Sequence, residues 1–121
     1  MAVDYSRYVT GRKPTHNRTF RPKLMEVWIV DVPFDNGRGS KKRPAIVVRE
    51  SDGRYGVVMM TSSDATSDRD FTLMDPESAG LEYGSTVKAG KVYDVAASRF
   101  YQKKGVLSDY DRDELALRMR Q

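Results

Sequence analysis

The sequence contains no cysteine in 121 residues. That absence excludes a disulfide framework and any thiolate metal site. No apolar run approaches the length of a membrane span, and the first residues lack the apolar segment of a signal peptide. A cytoplasmic protein is the expectation. There is no internal repeat and no low-complexity tract. The single histidine, His16, stands among basic and polar residues. A catalytic role for it would require that segment to fold over a site, so it is read as solvated. The length is that of one domain.

What is present is charge, unevenly placed. Six of the 21 Lys and Arg fall in residues 1–23, against Asp4 alone of the 17 Asp and Glu. The excess of +4 therefore belongs to the N-terminal segment, and the body of the chain does not by itself argue for a polyanionic partner. Residues 1–23 show no hydrophobic period, and Gly11, Pro14 and Pro22 interrupt them. They are expected to form a basic arm, either a plain extension or one that tracks a nucleic-acid backbone with Tyr5, Tyr8 and Phe20 for stacking. Residues 24–121 form the folded domain.

The stretch Lys41-Lys42-Arg43-Pro44-Ala45-Ile46-Val47-Val48 organises that domain. Proline holds Arg43 extended and is tolerated at the first residue of a strand. Ala45 to Val48 then reads as a strand buried on both faces. A guanidinium at the rim of such a strand suits a phosphate, because its planar fork donates two hydrogen bonds at once. A merely solvated basic loop is the competing reading.

Met25 to Val32 is rich in β-branched residues and predicts the preceding strand, with Trp28 in the core. Pro33 to Ser40 predicts a long, mobile hairpin connection, from Asn36-Gly37 and the repeated glycines. Asp52-Gly53 marks a turn. Tyr55 to Met60 predicts a third apolar strand, ending at the hydroxyls Thr61-Ser62-Ser63. Asp64 to Asp70 is polar loop and Phe71 to Met74 a short strand. Asp75 to Gly84 is mostly turn. Ser85 to Lys88 and Lys91 to Val95 are candidate strands, and Phe100-Tyr101 with Gly105 to Leu107 suggests another short pairing. The one good helix follows Ser108, with Asp111 at the capping-box position and acids before bases along its length. Five to seven short strands with a terminal helix predict a mainly β fold, a small and strongly bent sheet or barrel.

The order of these segments resembles the MazF/PemK/Kid toxins of bacterial type II toxin–antitoxin systems. The resemblance rests on Glu26-Val27-Trp28, on Arg43-Pro44-Ala45-Ile46-Val47-Val48, on Val57-Val58-Met59-Met60-Thr61-Ser62, and on Ser85-Thr86-Val87 with the Leu107-Ser108 helix entry. It covers roughly residues 25–120. It implies an SH3-like β-barrel of the CcdB/MazF type with a C-terminal helix, a homodimer, and cleavage of single-stranded RNA without a metal or cofactor. It also implies neutralisation by a cognate antitoxin whose tail fills the RNA groove. The family's catalytic arginine falls on Arg43 and its threonine on Thr61.

The chemistry fits those positions. Metal-free cleavage uses the neighbouring 2′-OH as nucleophile, and one preorganised donor to the phosphorane is worth about 2.7–4 kcal/mol. Arg43 is a natural stabiliser but a poor base. Thr61 can donate to a non-bridging oxygen. Phe34 is the candidate for base stacking, and Lys41, Lys42, Ser62 and Lys88 are candidates for RNA contacts. On the strand matching Val87 to Lys91, some family members carry an arginine and a carboxylate. Here Lys88 takes the arginine's place, and Ala89, Gly90 and Lys91 offer no carboxylate, so the base is unassigned. A metal nuclease built on Asp64, Asp68 and Asp70 is a weaker alternative. A non-catalytic binding module acting on nucleic acid or a topoisomerase is the other.

Overall fold

The computed structural model describes residues 21–34, 36–82 and 84–120. The arm therefore lies, except for its last three residues, outside the described residues, as does His16. Three long strands carry the fold: β1 (Glu26–Pro33), β2 (Ser40–Ser51) and β3 (Arg54–Thr61). They form consecutive antiparallel hairpins, with Val27 opposite Ile46 and Ile46 opposite Val58. The turn between β2 and β3 is Asp52-Gly53, both at positive φ (51° and 78°). This is the backbone that a two-residue hairpin requires, and it explains the Asp-Gly pair.

β2 is longer than Ala45 to Val48. It keeps its pairing with β1 back to Ser40, opposite Pro33. Pro44 thus stands inside the strand, opposite Ile29. It is tolerated because the ladder to β3 begins only at the next residue, Ala45. The β1–β2 connection is correspondingly shorter than expected. Phe34 N–H donates to the Gly39 carbonyl at 2.9 Å, and Gly37 N–H to the Phe34 carbonyl at 3.0 Å.

The later strands are β4 (Asp70–Thr72), β5 (Thr86–Lys88), β6 (Tyr93–Ala96) and β7 (Phe100–Val106). Phe100 to Val106 does not fold back on itself, as two short segments would. It is one strand, paired antiparallel with β1. The sheet runs β4-β5-β3-β2-β1-β7, and β6 pairs with the first half of β3 while β5 pairs with its end. The mainly β expectation with a terminal helix is met. No pairing among the described residues closes the sheet into a complete barrel.

Side-chain alternation gives the sheet two apolar faces. One gathers Val27, Ile46, Val58, Met60, Phe71 and Val87 under Leu107 and Leu115. The other gathers Trp28, Val30, Ala45, Val47, Tyr55 and Phe100. Trp28 is core, as expected. It meets Phe100 edge-on at 5.7 Å, and its indole N–H donates to Glu26 at 3.0 Å.

The helix α1 (Asp109–Met119) covers the first face, with Leu115 fully buried. Ser108 caps it, accepting from Asp111 N–H at 3.2 Å. The Asp111 carboxylate has a second task that its capping position did not announce. It accepts the N–H groups of Met74 and Asp75, each at 2.9 Å. Gly80 closes the same layer. Its φ is +77°, and a Cβ there would drive into the Lys104 carbonyl, so only glycine lets this segment lie against β7.

Candidate active site

The site is set by strand register. Thr61 pairs with Thr86, and Thr86 with Thr72. The β2–β3 ladder ends at Ala45 opposite Met59. Two residues beyond that end, on the same face, stand Arg43 on β2 and Thr61 on β3. A paired line of residues therefore crosses β3, β5 and β4: Thr61, Thr86, Thr72, with Arg43 on the same face of β2. Neighbours on such a line are about 4.5–5.5 Å apart and point to the same face. That face is the one holding Ala45 and Val57, beyond the edge of its apolar cluster. The two-residue period puts Lys41 on it as well.

The side chains of these residues are poised to donate. Arg43 is half-buried, and among the described residues no hydrogen bond or ion pair engages its guanidinium. Thr61 Oγ1 accepts the Ser63 N–H at 3.2 Å, which leaves the hydroxyl hydrogen to donate outward. Thr86 is only 5 % exposed. Arg43 is carried by a strand paired on its β1 side, with Val30 as its partner. Thr61 is the last residue of β3.

The carboxylate missing from the sequence around Lys88 is supplied by the fold. β4 pairs with β5 so that Asp70 lies opposite Lys88. The Lys88 ammonium contacts Asp70 Oδ2 at 2.6 Å and donates to Thr66 Oγ1 at 2.7 Å. The Asp70 side chain is 3 % exposed and that of Lys88 is 31 % exposed. Asp70 also accepts Thr66 N–H at 2.8 Å and Ser67 N–H at 3.2 Å, with hydroxyl bonds from both residues. Lys88 is therefore an oriented donor rather than a loose surface lysine. The aspartate loop does not gather as a metal site would. Asp64 and Asp68 are exposed, Asp70 is buried against Lys88, and no three carboxylate or imidazole groups converge among the described residues.

Burial raises the Asp70 pKa, but the hydrogen bonds from Lys88, Thr66 and Ser67 and the Lys88 charge outweigh it and bring it to about 2, from an ordinary 3.8. A carboxyl depressed in the folded state stabilises that state above its unfolded pKa. It loses the contribution as pH falls through the folded value. The Asp70 contribution, on the order of 2 kcal/mol, should therefore be complete above about pH 4 and disappear toward pH 2. Urea unfolding across this range should show a steep acid limb in the wild type and a flatter one in Asp70→Asn.

The other candidates are dispersed. Lys42 has the opposite parity from Arg43. It lies on the far face, with its ammonium 5.1 Å from the centre of the Tyr101 ring. Phe34 sits at the hairpin end, 42 % exposed. It is set off from Arg43 along the hairpin by the three paired positions Ser40, Lys41 and Lys42. Ser62 is exposed just past Thr61. Strand parity thus puts Lys41, Arg43, Thr61 and Lys88 on one face of the sheet, and leaves Lys42 on the other and Phe34 at the hairpin end. Thr86 and Thr72 are not site candidates in the sequence, and Asp70 enters there only in the metal alternative with Asp64 and Asp68. The Ser85-Thr86-Val87 segment carries a signal, but it gives position in the chain, not a cross-strand partner.

Among the described residues no helix is long and apolar enough to cross a membrane. Sequence comparison finds no significant match among curated proteins. Solved structures do match in fold. One is an endoribonuclease in complex with its cognate antitoxin from a mycobacterial species. It is 13 % identical, covers 82 % of this chain and 91 % of its own, and has a TM-score of 0.63. The Mycobacterium tuberculosis toxin MazF-mt6 is 15 % identical over 78 % of this chain and 91 % of its own, with a TM-score of 0.62. A chain of the MazE-MazF structure from Deinococcus radiodurans is 18 % identical over 83 % and 92 %, at 0.59. At such identities the likeness is one of fold. The sequence itself matches, over residues 23–121, the family described as PemK-like, MazF-like toxin of type II toxin-antitoxin system. With this match spanning most of its length, the chain belongs to the PemK-like, MazF-like toxins of type II toxin–antitoxin systems.

Proposed function

We propose that this toxin is an endoribonuclease that cuts single-stranded RNA, mRNA in particular, at a short recurring sequence and without a metal. The observation that supports the reading is that Arg43 and Thr61 lie on one face of the sheet, each two residues past the last β2–β3 pair, Ala45 and Met59. The 2′-oxygen attacks the adjacent phosphorus, forming the O2′–P bond as the P–O5′ bond breaks. The 2′-OH gives up its proton, and the leaving O5′ takes one. The products are a 2′,3′-cyclic phosphate and a 5′-OH. Arg43 stabilises charge on the phosphorane, and Thr61 donates to a non-bridging oxygen. Lys41, Ser62 and Lys88 contact the RNA phosphates, and Phe34 and Lys42 serve flanking nucleotides. A cognate antitoxin and a homodimer complete the proposed assembly. The pairing of a structural neighbour with its antitoxin supports the first of these.

The second reading, a binding module without nuclease activity, is favoured by one observation. The carboxylate beside the site, Asp70, is already committed to Lys88, Thr66 and Ser67. One experiment separates the two readings. Purified protein is mixed with a long single-stranded RNA in EDTA, with a DNA copy beside it, and the cut ends are mapped. Cuts at a recurring sequence with cyclic phosphate and 5′-OH ends, and intact DNA, are expected. Cutting that requires added magnesium would overturn the metal-free mechanism. RNA left intact under both conditions, while expression still arrests growth, would move the assignment to the binding module.

A further inference from the structure

We infer that Asp70 is a positioning residue: its buried carboxylate fixes the Lys88 ammonium on the sheet face that carries Thr61, and fastens the loop that leaves Thr61. The scissile phosphate then meets three aimed donors instead of two. The inference rests on the endoribonuclease reading and adds residues to its site.

The geometry has two parts. The first concerns Lys88. Thr86 lies directly opposite Thr61, and Lys88 follows Thr86 by two residues on the same face. A diagonal neighbour of that kind stands about 7–8 Å away, within reach of a long side chain. The ammonium has three N–H groups. One goes to Asp70 at 2.6 Å and one to Thr66 Oγ1 at 2.7 Å. The third is uncommitted among the described residues, on a side chain still one-third exposed. A flexible surface lysine would lose rotamer entropy when it met a phosphate. This one has been ordered by folding.

The second part concerns the loop. Residues 62–69 connect Thr61 to β4. Asp70 holds the far end of that loop through the N–H and hydroxyl groups of Thr66 and Ser67. Arg118 from α1 reinforces the anchor by donating to the carbonyls of Asp68 at 2.6 Å and Asp70 at 3.1 Å. The near end carries the Ser63 N–H that orients the Thr61 hydroxyl. One carboxylate thus controls the aim of both Lys88 and Thr61, though it touches no substrate itself.

The test measures kcat and KM on a single-stranded RNA in EDTA for the wild type, Asp70→Asn, Lys88→Gln, the double variant, Lys88→Arg and Arg43→Ala. Each is assayed at a temperature where circular dichroism shows it folded. Asp70→Asn and Lys88→Gln are each expected to lower kcat by about tenfold or more while KM stays nearly constant, as loss of aim in the transition state requires. The double variant should be little worse than the worse single one, the mark of two residues acting as a unit. Lys88→Arg should keep most of the activity. If Asp70→Asn fails to fold, Lys88→Gln, altered at a partly exposed position, carries the test. Lower melting temperatures with kcat and KM within about twofold of wild type would show a purely structural role and overturn the inference. A silent Arg43→Ala beside fully active Asp70→Asn and Lys88→Gln would overturn it while leaving the endoribonuclease reading intact. A wild type that leaves RNA uncut would sink that reading first, and this inference with it.

Discussion

Arg43→Ala is expected to lower kcat for RNA cleavage by about 10²–10³ while the protein folds as before. The size follows from removing one preorganised donor to developing charge, about 2.7–4 kcal/mol of barrier. The selectivity of the effect follows from the surroundings of Arg43. Its guanidinium has no protein partner among the described residues, so its removal strands no buried charge. The backbone at this position is held from the β1 side by the pairing with Val30 and by Pro44 next to it. Alanine there should shift unfolding by no more than about 1 kcal/mol, the range of ordinary strand substitutions. Arg43→Lys should recover part of the rate, because the charge returns without the planar fork. Single-turnover cleavage in EDTA, read beside a thermal melt, checks both halves. A variant that cuts at the wild-type rate would remove Arg43 from the mechanism. One that loses activity only in proportion to its folded fraction would do the same.

Asp111→Ala should be the most damaging change to stability, with little effect on the chemistry. Asp111 is 0 % exposed. Its carboxylate accepts the N–H groups of Met74 and Asp75 at 2.9 Å and the Ser108 hydroxyl at 3.3 Å. Alanine leaves two part-buried backbone donors unmet, at up to about 1–3 kcal/mol each before relaxation. It also disturbs the helix cap, worth about 1 kcal/mol. A net loss of roughly 2–4 kcal/mol is expected, which for a domain of this size lowers the melting temperature by roughly 10 °C. Asp111→Asn, which keeps one carbonyl acceptor, should fall between. Because α1 covers the face of the sheet opposite Arg43 and Thr61, the folded fraction should cleave RNA normally. Urea unfolding within about 0.5 kcal/mol of wild type would show that water replaces the carboxylate at no cost.

These predictions draw on features of different legibility. The strands β1, β2 and β3 could be read because their signals are local. Runs of β-branched residues, an Asp-Gly turn and a proline act within a few positions of themselves. The helix after Ser108 was readable for the same reason, since its cap and charge order lie within one turn of its start. The bounds were less secure where pairing decides them. β2 begins at Ser40 because β1 is present to pair with it. Phe100 to Val106 is one strand because β1 offers a second edge along its length.

By itself the sequence determined a mainly β fold with one terminal helix. It placed Arg43 just before an apolar run and Thr61 at the end of another, and these are consequences of short-range patterning. The order of its motifs carried the family resemblance. Only the tertiary structure decided which residues share the site. Asp70 and Lys88 are eighteen positions apart, and they meet because β4 pairs with β5 in one register. Lys42 adjoins Arg43 in sequence, yet it faces the other way because successive residues of a strand point to opposite sides. A charge, a hydroxyl or a carboxylate gains its role from the group opposite it, and that neighbour is fixed by register, which no local pattern in the chain records.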